Sequence, residues 1–256
     1  MDLGIRDRVA LITGASSGLG KACALALACE GARIAVAARR RDELERVCAH
    51  AAQLGAPDAR PFVVDLSDAR SIDVLVRDVR EAFGTVDILV ANSGGPKPGT
   101  FTQVAPEDWD GAYRSVLRSM LQLVEGVLPG MRERRWGRIV ALTSTSVKQP
   151  IATLVLSNMF RTALVSGLKT LSGEVAKDGV TINAIATGRV ETDRLLSLYG
   201  NDRGELERAG KEVPIGRIAH ADEFAPLVTF LCGEPARYIT GQTISIDGGL
   251  IAGLFG

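Results

Sequence analysis

The chain is expected to fold as an α/β protein, with a doubly wound parallel sheet of seven strands covered by helices on both faces. Three observations predict this. Apolar strand-like runs alternate with helix-period runs along all 256 residues. The strand-like runs, such as VDILVA at 86–91 and GRIVALT at 137–143, are continuously apolar rather than alternating, as strands buried on both faces require. No low-complexity linker or short internal repeat divides the chain, so one domain over residues 1–256 accommodates it.

In chain order the pattern predicts strands near 8–13, 33–38, 60–64, 86–91, 138–143, 180–186 and 243–247. Helices are predicted near 18–30, 42–54, 68–83, 106–134, 152–177 and 221–232. The composition supplies a sizeable core, with 46% apolar residues. Thirty basic side chains cancel thirty acidic ones, and no long run of either sign argues for nucleic acid or an anionic membrane as partner. The densest basic group, Arg132, Arg134, Arg135 and Arg138, reads as a solvated helix end. Four cysteines form no C-x-x-C pair and only two histidines exist, which argues against zinc and for reduced, buried thiols. The first residues, MDLGIRDRVALIT, carry no apolar segment with a cleavage site, and no apolar run is long enough for a membrane span. A soluble, cytoplasmic protein is therefore expected.

The first strand runs into Thr13-Gly14-Ala15-Ser16-Ser17-Gly18-Leu19-Gly20 and then a helix. Glycines in a strand–turn–helix unit let the backbone turn tightly and approach a pyrophosphate at the helix N-terminus, which makes the sheet one of Rossmann type. The second strand ends at Ala38-Arg39-Arg40, where a carboxylate would hold a ribose 2′-hydroxyl. Ala38 offers none, whereas Arg39 or Arg40 suits a 2′-phosphate, so NADP(H) is expected in preference to NAD(H). Asp65-Leu66 and Asn92-Ser93-Gly94 end the third and fourth strands on the same edge. Asp65 has two open roles, accepting from an adenine amino group or capping the next helix.

Ser144 leaves the carboxyl end of the fifth strand, where open α/β sheets bind ligands. Ser157 and Arg161, four apart, share one face of the helix that follows. Lys148 stands in the intervening loop, either as a solvated lysine or as a proton donor.

Taken together these motifs resemble the short-chain dehydrogenase/reductase family over nearly the whole chain. TGASSGLG matches its glycine motif and NSGG its fourth-strand motif, while VTINAIATGRVET resembles its sixth strand with Thr187 in place of a proline. The segment from Pro214 to Gly249 resembles the C-terminal signature of 3-oxoacyl-carrier-protein-reductase-like members. The resemblance implies carbonyl reduction of a small molecule with NADP(H), contacts from Gly188, Val190 and Thr192 to the nicotinamide amide, and a homo-oligomer, dimer or tetramer. It also implies a catalytic Asn, Ser, Tyr and Lys. Ser144 fits the serine, but counting places Val116, Ser157 and Arg161 at the other three positions. A phenol has a pKa of about 10 that a neighbouring lysine can lower, whereas an alkyl alcohol is a far weaker acid. Three readings stay open: an oxidoreductase with a non-standard proton donor, a catalytically silent nucleotide-binding partner subunit, and a lyase or isomerase using the same pocket. A lid is expected near 190–215, from which Tyr199 could supply an acid. The apolar tail Leu250–Phe255 is expected to pack on a second subunit.

Overall fold

A computed structural model describes residues 1–254. Seven strands form one sheet: β1 (Val9–Thr13), β2 (Arg33–Ala38), β3 (Ala59–Val63), β4 (Ile88–Ala91), β5 (Gly137–Leu142), β6 (Val180–Thr187) and β7 (Thr243–Ile246). Their spatial order is β3-β2-β1-β4-β5-β6-β7 and every pairing is parallel. The chain leaves β1 toward β2 and β3, then returns to place β4 on the other side of β1. That reversal opens a crevice at the carboxyl edge between β1 and β4.

Side chains of a strand alternate between faces, so one strand feeds two cores. Ala10 and Ile12 of β1 join one apolar cluster, together with α1 (Gly18–Cys29), α2 (Arg41–Gln53) and α9 (Ala221–Leu231). Val9 and Leu11 join the other, beneath α3 (Ala69–Phe83), α5 (Ser119–Glu133) and α6 (Val155–Val175). Burial of both faces explains the unbroken apolar runs. Leu11 and Ile12 are wholly inaccessible, and each such side chain contributes about 1.5–3 kcal/mol relative to leaving it in water.

Local chemistry sets the boundaries that periodicity misplaces. β4 begins at Ile88 rather than near 86, because the Asp87 carboxylate accepts the Val9 N–H (Oδ2, 3.0 Å) beside the ladder. The expected single helix over 106–134 is interrupted: α4 (Pro106–Ala112) passes into a π-helical turn, Tyr113–Arg118, before α5. There the Ser115 and Ser119 hydroxyls donate back to the carbonyls of Gly111 and Ser115, each at 2.8 Å; such back-bonding bends helices. α3 opens on Asp68, whose carboxylate accepts the Arg70 N–H at 3.0 Å, and closes on Gly84 at φ 82°. The expected 190–215 region holds two helices, α7 (Asp193–Leu198) and α8 (Arg203–Lys211), parted by Gly200 and Asn201 at φ 64° and 62°.

Two expectations need correction. Arg138 is not solvated: it is 2% exposed, reaches Glu234 at 3.4 Å and stacks 4.4 Å over the Trp136 ring. Cys29 is exposed, while Cys23, Cys48 and Cys232 are buried free thiols. Among the described residues no group of three metal-ligating side chains occurs, and no helix is long and apolar enough to cross a membrane. Leu254 is 96% exposed at the end of the described chain; Phe255, the last residue of the expected apolar tail, lies outside the described residues.

Candidate active site

A cleft of about 960 Å³ runs along the carboxyl edge of the sheet. At one end lies the glycine turn. Gly14 and Gly18 adopt φ 59° and 54°, the left-handed region that disfavours a Cβ. Gly20 is buried outside the cleft lining, and a Cβ there would sit 2.4 Å from the Gly14 carbonyl oxygen. Its role is the close approach of helix to turn. The turn is tied to the fourth strand: Thr13 Oγ1 donates to Asn92 O at 2.8 Å, and Asn92 N–H donates back to Thr13 Oγ1 at 2.9 Å.

Ser17 is the N-cap of α1, yet its side chain makes no capping bond, which leaves the helix N-terminus facing the cleft. Both Ser16 Oγ and Ser17 Oγ instead accept from Arg40 Nη2, at 3.1 and 3.0 Å. A guanidinium and two hydroxyls thus converge beside the turn. Leu19 and Arg39 also line this end.

The middle of the cleft is lined by Asp65, Leu66, Asn92, Ser93 and Gly94. Asp65 accepts from Ser67 N and Ser67 Oγ, at 2.9 and 2.7 Å. Those bonds hold its carboxyl below the usual range. Asp65 does not cap α3; Asp68 does. Opposite stand Gly188, Val190 and Thr192. Gly188 is required by a backbone crossing, since a Cβ would lie 2.5 Å from Asp247 Cα. Thr192 caps α7 through Leu195 N–H at 3.1 Å, with its methyl against Gly18. The buried Ser93 Oγ and Thr187 Oγ1 have no hydrogen-bond partner among the described residues, and both residues line the cleft.

At the far end Ser144, Ser157 and Arg161 come together as cleft residues. Ser144 Oγ accepts the Ser146 N–H at 3.1 Å, so its own O–H is free to point elsewhere. Ser157 Oγ pairs with Ser146 Oγ at 3.2 Å. Arg161 is 7% exposed and donates from Nη1 to Leu142 O at 3.0 Å. Burial pushes its guanidinium down to about 10, so it stays charged at neutral pH. Lys148 is half-buried at the end of the 3₁₀ turn Thr145–Val147, outside the cleft lining.

No tyrosine lines this cleft among the described residues. Tyr113 packs outside against Phe160, Tyr238 is 99% exposed, and Tyr199 of the expected lid does not reach in. Three residues that sequence reasoning overlooked do belong to the site. Ser115 lines the cleft from the π turn while its neighbour Val116 is buried in the core. Ser146 partners Ser157. Arg194 reaches over Gly95 to donate to Pro96 O at 2.6 Å. Only the last stood in plain view, as a cation two residues past Thr192.

A Rossmann-type sheet with a glycine turn at its switch point and a polar far end defines a class of single-domain, cleft-binding α/β proteins. The chain belongs to the short-chain dehydrogenase/reductase family. Residues 14–251 match the family model described as enoyl-(acyl carrier protein) reductase. The chain is 31% identical over 248 residues to the 3-oxoacyl-(acyl-carrier-protein) reductase of Escherichia coli strain K12, covering 97% of this chain and 99% of that one. Its fold matches L-sorbose reductase from Gluconobacter frateurii, solved with NADPH and L-sorbose, at TM-score 0.92 and 35% identity over 99% of this chain and all of the other. It also matches a single-residue variant of actinorhodin polyketide ketoreductase, solved with NADPH, at TM-score 0.91 and 33% identity over 95% and 97% of the two chains.

Proposed function

We propose that this protein is an NADP(H)-dependent carbonyl oxidoreductase that works without a tyrosine acid. The observation that carries the reading is the continuity of one cleft from a phosphate-type cradle, Arg40 with Ser16 and Ser17, to the polar end at Ser144. The residues fit a dinucleotide. An uncapped helix N-terminus with glycines at positive φ accepts a diphosphate. Two buried cleft hydroxyls without a partner among the described residues, Ser93 and Thr187, suit hydrogen bonds to a bound ligand. Arg40 favours the 2′-phosphorylated form, in keeping with the NADPH held by the sorbose reductase and the ketoreductase.

The cofactor, when bound, supplies the hydride. The chain supplies the rest. Ser144 O–H donates to the substrate oxygen; the Ser146 N–H occupies only one lone pair of Oγ and leaves the hydrogen available. Arg161 stabilises negative charge on that oxygen through its buried field, where low dielectric strengthens the attraction. It does not transfer a proton, since it stays charged. Ser157, standing with Arg161 where the family has its tyrosine and lysine, holds Ser146 and so positions Ser144. The proton then comes from water entering the open cleft.

A silent, nucleotide-binding subunit is the second reading, favoured by one observation: Ser157 and Arg161 are each engaged by groups of the protein itself. Calorimetric titration with NADPH and NADH, followed by NADPH oxidation with 3-oxoacyl thioesters, aldehydes and diketones, separates the two. The first reading expects tighter NADPH binding and turnover. The second expects binding with none. Absence of saturable binding of either cofactor overturns both.

A further inference from the structure

Two guanidiniums that line the cleft, Arg161 and Arg194, lack the carboxylate that two other buried or partly buried arginines have. The buried Arg138 has Glu234 at 3.4 Å, and the partly buried Arg189 has Glu212 at 2.7 Å. Among the described residues no carboxylate lies within 4.0 Å of Arg161 or of Arg194, although Arg161 is more than nine-tenths buried. Each donates to a single backbone carbonyl, Leu142 O or Pro96 O, leaving most of its five N–H donors unassigned. Burial depresses both, and the charge of Arg194 adds to the effect on Arg161, so two like charges sense one another across the cleft. Like charges held together without an opposite one are unfavourable. The missing element is an anion.

On the oxidoreductase reading the cofactor's phosphates belong to the glycine turn and Arg40. Arg161 is anchored at the end of β5, within one helical turn of Ser157 and beside the strand that delivers Ser144. Arg194 covers Gly95 and Pro96, past the Asn92–Gly94 segment. A planar guanidinium fork matches a carboxylate with two parallel hydrogen bonds.

We propose that Arg161 and Arg194 form a carboxylate seat, and that the substrate is an oxo acid whose carbonyl meets Ser144 while its carboxylate sits between the two guanidiniums. This rests on the oxidoreductase reading. In the reaction the carbonyl carbon gains a hydride from the reduced cofactor, and the oxygen gains a proton from water, whose hydroxide is neutralised by a proton from bulk solvent. The products are a hydroxy acid and the oxidised cofactor, and the carboxylate is unchanged.

The test compares acid with ester. Binding of 2-oxobutanoate and acetoacetate, and of their methyl esters, is measured by calorimetry with and without NADP⁺, which blocks turnover. The wild-type protein is expected to prefer acid over ester by at least about tenfold, the value of one charge-assisted hydrogen bond. Arg194→Gln should erase that preference, leave NADPH affinity within about threefold, and regain part of it as Arg194→Lys. Arg161→Gln should behave alike where it folds; Arg194 is half-buried and carries the test if it does not. Equal binding of acid and ester overturns the seat. So does an Arg194→Gln protein that keeps the acid preference but loses NADPH affinity, which would assign Arg194 to the cofactor diphosphate. Failure of the wild type to bind NADPH sinks the oxidoreductase reading alone, because the acid preference is read without cofactor.

Discussion

Ser157 Oγ lies 3.2 Å from Ser146 Oγ, and Ser146 N–H in turn donates to Ser144 Oγ at 3.1 Å. The two serines that sequence spacing pairs are therefore connected through a third. In a protein with a phenol at position 157 the acid would reach substrate directly. Here the helix side chain is short, and its contact is with the loop that shapes the strand end.

Replacing Arg40 tests cofactor choice. Arg40→Ala removes the only guanidinium bonded to Ser16 and Ser17 among the described residues. The Kd for NADPH is expected to rise roughly ten- to hundredfold, as for loss of charge-assisted hydrogen bonds. The Kd for NADH should stay near its wild-type value. Equal weakening of both would place the arginine elsewhere in function.

Ser144→Ala tests the oxyanion contact. Loss of one preorganised donor costs about 10²–10³ in kcat. Because the hydroxyl acts on developing charge, KM should move much less. Steady-state kinetics on any active carbonyl substrate reads the split.

The double variant Ser157→Tyr with Arg161→Lys tests the missing acid. It installs a phenol facing the cleft and a lysine one turn later, where Ser157 and Arg161 now line it. Reduction of a neutral ketone should rise, with a pH optimum set by the new phenol. At the same time, any acid-over-ester preference should weaken through the shorter lysine. Unchanged rates would speak for the silent reading.

Thiol reactivity should divide the cysteines sharply. Burial pushes the Cys48 thiol up to about 11 and Cys232 up to about 12, and raises Cys23 further. Thiolate is the reactive form, so a disulfide reagent at pH 8 should modify Cys29 alone in the folded protein. The remaining three should react only in denaturant. Rapid labelling of more than one equivalent would contradict their burial.

Acid should weaken the clamp at the start of α9. Glu223 accepts from Arg217 at 2.6 and 2.7 Å and from His220 N–H at 2.8 Å, and the Arg217 bond leads in lowering its carboxyl from 4.5 to about 2. A depressed carboxyl contributes stability above its unfolded value and loses it as pH falls through its folded one. The stability gap between wild type and Glu223→Gln should be complete at pH 7, shrink below about 4.5, and close near 2. Urea midpoints at pH 7, 4 and 2.5 measure it.

The sequence alone determined the sheet, its seven strands and its carboxyl-edge cleft, because burial on both faces writes itself as unbroken apolar runs. It also located the glycine turn, which depends on neighbours in one strand–turn–helix unit, but offered Arg39 and Arg40 alike as the cation; that Arg40 reaches Ser16 and Ser17 is a contact between two such units. Strand and helix ends were less legible where a single side chain intervenes, as Asp87 does at β4 and Ser115 does in the π turn. Tertiary structure alone decided which polar groups meet. Ser146 joins Ser157 across eleven residues, and Arg194 reaches Pro96 across ninety-eight. Side-chain pairing between distant segments follows from how helices dock on the sheet, and local periodicity carries no record of that docking. The same docking left Arg161 and Arg194 without a carboxylate among the described residues, a property of the assembled cleft that no stretch of chain contains.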